Sequence, residues 1–181
     1  MVRGGFIEQV VQVEIGTTFN FYRDGPRAAL LRARLEAYLD ERAGASVLLV
    51  GEAPGYRGTR VSGIPLTSER QLTGAGRAEG TATVVHRALD ELGLEERVLL
   101  WNIVPTHPGD ERSNRPPTRT EVEAGLPFAR RLAQGRLVVP VGRVAHEALG
   151  GTYVRHPSHG GAAEFHRGLA RLFASPAVTL P

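Results

Sequence analysis

Three short segments carry side chains whose types and spacing suit chemistry. Gly51-Glu52-Ala53-Pro54-Gly55 sets one carboxylate in a tight Gly/Pro turn. A glutamate held there could act as a base or orient a water. The structural alternative is a β–α turn whose acid is solvated or caps a helix. Trp101-Asn102-Ile103-Val104-Pro105 sets an asparagine among apolar neighbours. Its amide offers one acceptor and two donors, which the edge of a planar heterocycle could satisfy and which loop backbone could satisfy equally. His156-Pro157-Ser158-His159-Gly160-Gly161 places an imidazole before a proline turn, where it could face a ligand. His156, His159 and His166 could also be read as metal ligands. Neither a cysteine nor a second paired histidine motif supports that, so no metal and no cofactor is expected.

Two absences narrow the chemistry. The 181 residues contain no cysteine, which excludes disulfides, cysteine nucleophiles and thiolate-held iron–sulfur clusters. They also contain no lysine; all 22 basic residues are arginine. A lysine Schiff base and a P-loop lysine are therefore excluded. A GC-rich genome accounts for the arginine bias, but the chemical restriction holds whatever its cause.

These segments need elements to position them, and the pattern of apolar residues supplies a set. Leu30, Leu31, Leu35, Tyr38 and Leu39 recur at helical spacing over 26–42, and Pro26 suits a helix start. Ser46–Val50 reads as a buried strand, followed by a Gly/Pro-rich loop to about Gly76. Thr81–Leu92 reads as a helix stopped by Gly93, and Val98–Val104 as a second strand. After a polar loop, Thr118 and Glu121 form a capping box opening a helix to about Gln134, with a kink expected at Pro127. Leu137–Val141 reads as a third strand, 142–149 as a short helix, Thr152–Arg155 as a fourth strand and Gly161–Phe173 as a closing helix. Residues 1–25 show a β-like stretch at Val10–Ile15 and an aromatic cluster at Phe19, Phe21 and Tyr22. They read as an arm packing on one domain that spans 1–181.

Strands alternating with helices predict an α/β fold, a three-layer α/β/α sandwich around a four-stranded parallel sheet. Functional residues in such sheets sit beyond the carboxyl ends of the strands. All three chemical segments follow expected strands. No run of about 18 apolar residues is present and no leader pattern opens the chain, so no membrane association is expected and the chain reads as cytoplasmic. Charge is uneven: residues 1–111 hold 12 Arg against 15 acids, and residues 112–181 hold 10 Arg against 4. A basic C-terminal part could face phosphates; a mixed solvated surface is the alternative.

In this order and at these strand ends, the segments resemble those of the uracil-DNA glycosylase superfamily. The resemblance covers about residues 44–173. Gly51–Gly55 and Asn114-Arg115-Pro116-Pro117-Thr118 look like motifs of its thermophile-type iron–sulfur branch, whose cluster cannot form without cysteine. The spacing from Gly55 to Gly63 is more similar to the single-strand-selective branch. The resemblance implies the roles that follow. A nucleotide is flipped from the stack into a pocket. Glu52 orients or deprotonates the attacking water. His156 donates to the uracil O2 as charge develops, and Asn102 reads N3–H and O4. Gly51, Ala53, Pro54, Gly55 and Tyr56 shape the pocket. Ser158 with nearby loop amides, and His159, Gly160, Arg115 and Arg155, contact DNA. Without lysine the enzyme is expected to be monofunctional. It is expected to act as a monomer on uracil in single-stranded or mismatched DNA.

Two residues depart from the family pattern. Leu66 stands after Gly63-Ile64-Pro65 where a phenylalanine usually stacks on the base; Tyr56 could supply that platform or simply pack the loop. Gly160 stands where a large wedge is usual, so the wedge comes from His159 or elsewhere, or the enzyme prefers single strands and mismatches, where flipping costs less. Other readings therefore stay open: a glycosylase for another lesion such as hypoxanthine, a non-catalytic binder of damaged or abasic DNA, or a nucleotide hydrolase.

Overall fold

The structure, a computed structural model, describes residues 3–174. Residues 1, 2 and 175–181 of the expected domain lie outside the described part. The elements run α1 (Arg3–Gln12), α2 (Ala28–Glu41), β1 (Val47–Gly51), α3 (Thr59–Ser62), α4 (Glu69–Thr73), α5 (Gly80–Glu91), β2 (Val98–Asn102), α6 (Arg119–Ala133), β3 (Leu137–Pro140), α7 (Arg143–Leu149) and α8 (Ala162–Ala174). The three strands are parallel and ordered β2-β1-β3, with Gly51 opposite Asn102 and Val50 opposite Pro140.

Side chains of a strand alternate between the two faces of its sheet, and both faces here are covered. Leu48, Val50, Leu99 and Trp101 join Phe6, Leu35 and Ala129, from α1, α2 and α6. Val47, Leu49, Leu100 and Val139 join Val85, Leu89 and Phe165, from α5 and α8. Burial on both sides explains why the strands read as unbroken apolar runs. The edge of β2 is closed by a side chain: the Leu100 N–H donates to the buried Tyr38 hydroxyl at 2.7 Å. The fold is thus the α/β/α sandwich the sequence predicts. No helix among the described residues is long and apolar enough to cross a membrane.

Three local expectations are corrected. The fourth strand shrinks to a single parallel bridge, Val141 to Val154. Val154 N–H donates to the Pro140 carbonyl at 3.0 Å, and its own carbonyl accepts from Gly142 N–H at 2.9 Å. Gly150 and Gly151, both at positive φ, turn the chain just before it, and Pro157 follows without an N–H, so the pairing cannot lengthen. Val10–Ile15 is not β-like, because residues 3–12 form α1. Phe6 and Val10, four residues apart, are both buried, and the Phe6 ring meets Trp101 at 5.5 Å and Phe128 at 5.9 Å. Packing on the sheet thus overrides the strand preference of valine. Helix α6 keeps close to its expected span, with Pro127 inside it, and opens on the expected Thr118–Glu121 capping box; Gly125, Ala129 and Leu132 are buried. The long loop after β1 contains α3 and α4.

Candidate active site

The ends of β1 and β2 bring the first two chemical segments together. Beyond the strands the pairing continues, with Ile103 N–H donating to Gly51 O at 2.9 Å and Val104 N–H to Glu52 O at 3.1 Å. The backbone of Glu52 is therefore fixed although its side chain lies past the strand. That carboxylate is half-buried, and burial alone raises its pKa above the usual carboxylate range. No described residue donates a hydrogen bond or ion pair to it. A partly desolvated, unpaired carboxylate is a stronger base than a solvated one.

Asn102 is 1% exposed. Its Nδ2 sits 3.5 Å from Thr59 Oγ1, at the limit of a hydrogen bond, and its Oδ1 is buried with no partner. Thr59 Oγ1 also accepts the Leu66 N–H at 3.1 Å. Leu66 has φ 52, unusual for a leucine. That conformation lays its side chain over the end of β1: a Cβ on Gly51 would lie 2.8 Å from Leu66 Cδ2 and 3.1 Å from Asn102 Oδ1. Gly51 is thus the residue that lets Leu66 and Asn102 meet. Beside them Tyr22, Thr59, Pro65 and Trp101 close around a crevice too narrow to admit a water molecule.

The Glu52 loop is braced from outside. Ala53 packs on the core, and Pro54 is buried with its carbonyl 2.7 Å from His107 Nδ1. The other ring nitrogen of His107 lies 2.8 Å from the Asp110 carbonyl. Gly55 O accepts from Gly58 N–H at 3.1 Å, and Tyr56 N–H donates to Asn114 Oδ1 at 2.8 Å. The sequence reading missed Thr59 and His107. His107 lay in a loop judged only by polarity, and Thr59 carries no signal in a Gly-rich loop. Asn114 was legible only as part of a motif.

The third segment leaves the same edge of the sheet, two residues past the Val154 bridge. Ser158 N–H donates to His156 Nδ1 at 3.1 Å, and the Ser158 hydroxyl lies 2.7 Å from the same nitrogen. Because Nδ1 accepts, Nε2 carries the proton of the neutral ring. Burial, then the nearby charges of Arg155 and His159, lower the His156 pKa below the ordinary histidine range. A neutral Nε2–H donor is therefore the state at neutral pH. His159 Nδ1 lies 3.0 Å from the Ser158 hydroxyl, which extends the chain of bonds outward. His159 and Gly160 are exposed, both at positive φ. A Cβ on Gly161 would lie 2.1 Å from the His156 carbonyl, so only glycine permits this turn.

The two arginines singled out in the sequence differ in surroundings. Arg115 turns inward, its terminal nitrogens 2.6 and 2.7 Å from the carboxylate of Glu121 and 3.0 Å from Thr17 Oγ1. Arg155 lies beside the His156 loop, 3.6 Å from Glu164. Among the described residues no group of three or more His, Asp or Glu side chains is gathered that could hold a metal ion.

Residues 39–177 match the family model described as the uracil DNA glycosylase superfamily. No curated protein matches the chain. Among solved structures, the crystal structure of wild-type Pedobacter heparinus SMUG2 is similar at TM-score 0.64 and 14% identity, covering 94% of this chain and 99% of that one. At that identity the likeness is one of fold.

Proposed function

Since the chain belongs to the uracil DNA glycosylase superfamily and is thereby a DNA glycosylase, we propose that it is monofunctional and hydrolyses the N-glycosidic bond of uracil, or a related deaminated base, in DNA. The observation that carries this reading is the buried Asn102 Oδ1 without a partner. A buried acceptor left unpaired costs about 1–3 kcal/mol, and the N3–H of a flipped uracil would satisfy it. Nδ2, held only at 3.5 Å by Thr59, turns to the uracil O4. Cytosine offers the opposite polarity at both atoms and is rejected.

The remaining groups divide the charge. As the bond to C1′ breaks, the sugar gains oxocarbenium character and the base gains negative charge. The His156 Nε2–H donates to the uracil O2 where that charge collects. Glu52 holds the attacking water on the sugar and accepts its proton. Leu66 covers a face of the base in place of an aromatic ring. Ser158 and the amides of its loop hold a phosphate. With no lysine in the sequence, the abasic product keeps an intact strand.

Labelled oligonucleotides carrying one U, hypoxanthine or T, single-stranded or opposite G or A, test this directly. The expected result is uracil release revealed as strand breaks only after hot alkali. Breaks without alkali would show a lyase step. Release of hypoxanthine but not uracil would move the reading to another lesion. No release by a folded protein that binds abasic DNA would leave a non-catalytic binder.

A further inference from the structure

Beside Tyr56, on the outer side of the Glu52 loop, lies a cleft of about 620 Å³ lined by Arg57, Arg60, Arg77 and Arg112. Its two acids do little to balance them. Glu69 is already held by Arg34 at 2.9 Å and Arg27 at 3.2 Å. Glu111 is solvated and meets only Arg60, at 3.6 Å. Arg57, Arg77 and Arg112 are exposed and form no ion pair with any described residue. Arg57 lies over the Tyr56 ring at 5.0 Å and Arg60 over Phe19 at 5.1 Å, so both guanidinium groups rest against an aromatic face. Arg60 Nε is buried without an acceptor. The opposite flank of the strand ends differs. There Arg155 faces Glu164 at 3.6 Å and Arg143 faces Glu147 at 3.9 Å.

We propose that this cleft holds the phosphates on one side of the excised nucleotide only, so that the enzyme grips its strand asymmetrically. The inference rests on the reading of the strand ends as a base-excision site. Free guanidinium groups in a concave surface suit phosphate oxygens. The Tyr56–Arg57 stack adds a flat surface on which an unpaired neighbouring base can lie. On the other flank Arg155 and Arg143 each have one solvated carboxylate close by, so charge there is balanced one for one, whereas Arg57, Arg77 and Arg112 have none; the His156 loop is left to hold the phosphate at the nucleotide itself.

The test uses single strands bearing an uncleavable abasic analogue near the 5′ end, near the 3′ end or in the middle. Binding is followed by anisotropy across a salt series, alongside excision of uracil from matching substrates. Wild type should lose about tenfold in affinity when one flank is removed and little when the other is. Arg57→Gln, Arg77→Gln and Arg112→Gln should each flatten the salt slope by about 0.7–1, and the triple variant should bind both truncated strands alike. Arg87→Gln, an exposed arginine on α5, should change neither. Equal loss from both truncations in wild type, or an unchanged slope in folded triple variant, would overturn the proposal. The two readings fail separately: one-sided binding without excision sinks the proposed activity alone, and excision with symmetric binding sinks the cleft alone.

Discussion

Glu52 and His156 show how burial tunes a residue for work. Burial raises the carboxyl, which strengthens it as a base once ionised, and lowers the imidazole, which keeps it a neutral donor. Excision should therefore rise with pH through the acidic range, as Glu52 loses its proton and His156 becomes neutral, and level off near neutrality. His156→Ala should lower the rate about 10²–10³-fold while weakening substrate binding much less; an equal fall in both would remove the donor role. Glu52→Gln should cost about 10²–10⁴-fold in rate and yet raise the melting temperature at pH 7. The sign follows from the raised pKa: above it, the folded chain carries a buried charge that the unfolded chain solvates. Below the ordinary carboxylate range both states are protonated, so the gain in melting temperature should vanish there. A variant less stable than wild type at pH 7 would mean the carboxylate has a partner.

At the scale of elements, the site depends on loops held by single contacts. Glu121 caps α6 and bonds Thr118 N–H at 2.8 Å while pairing with Arg115. Arg115 beside it holds its carboxyl down at about 2. A carboxyl lowered this far on folding adds to stability wherever it is ionised. That contribution is complete above about pH 4.5 and is lost as pH falls through about 2. Glu121→Gln should thus melt lower at pH 7 by a margin that closes as the solution is acidified. A constant margin would point to lost packing instead. The cap was legible as Thr118 and Glu121 three apart, but the partner was not: no spacing in the sequence says that Arg115, read there as a DNA contact, pairs with Glu121. Gly161 makes a second case. Gly161→Ala would set a Cβ against the His156 carbonyl, and since backbone cannot yield cheaply, it should lose most activity while the far-ultraviolet dichroism stays native.

Across the whole molecule, composition sets a limit that no local geometry changes. A chain without lysine has no side-chain amine to form a Schiff base. Borohydride should therefore trap no lysine adduct of the enzyme on abasic DNA, and a lysine-dependent bifunctional glycosylase run in parallel should be trapped. The sheet supplies the other global fact. Three parallel strands and one bridged residue end at the same edge, so residues about fifty apart in the chain arrive as neighbours.

The sequence by itself determined the layers, the strand ends and the three chemical segments. Those depend on apolar periodicity and on residue type, which are local and are written along the chain. Tertiary structure decided the rest. It made α1 a helix, because Phe6 packs on Trp101 of the sheet. It cut the fourth strand to one bridge, because glycines and a proline crowd it. It placed Thr59 under Asn102 and turned Arg115 inward, while Arg57, Arg77 and Arg112 stayed free. Each of these outcomes depends on what a side chain meets after the chain has closed on itself, and no spacing along the sequence records that.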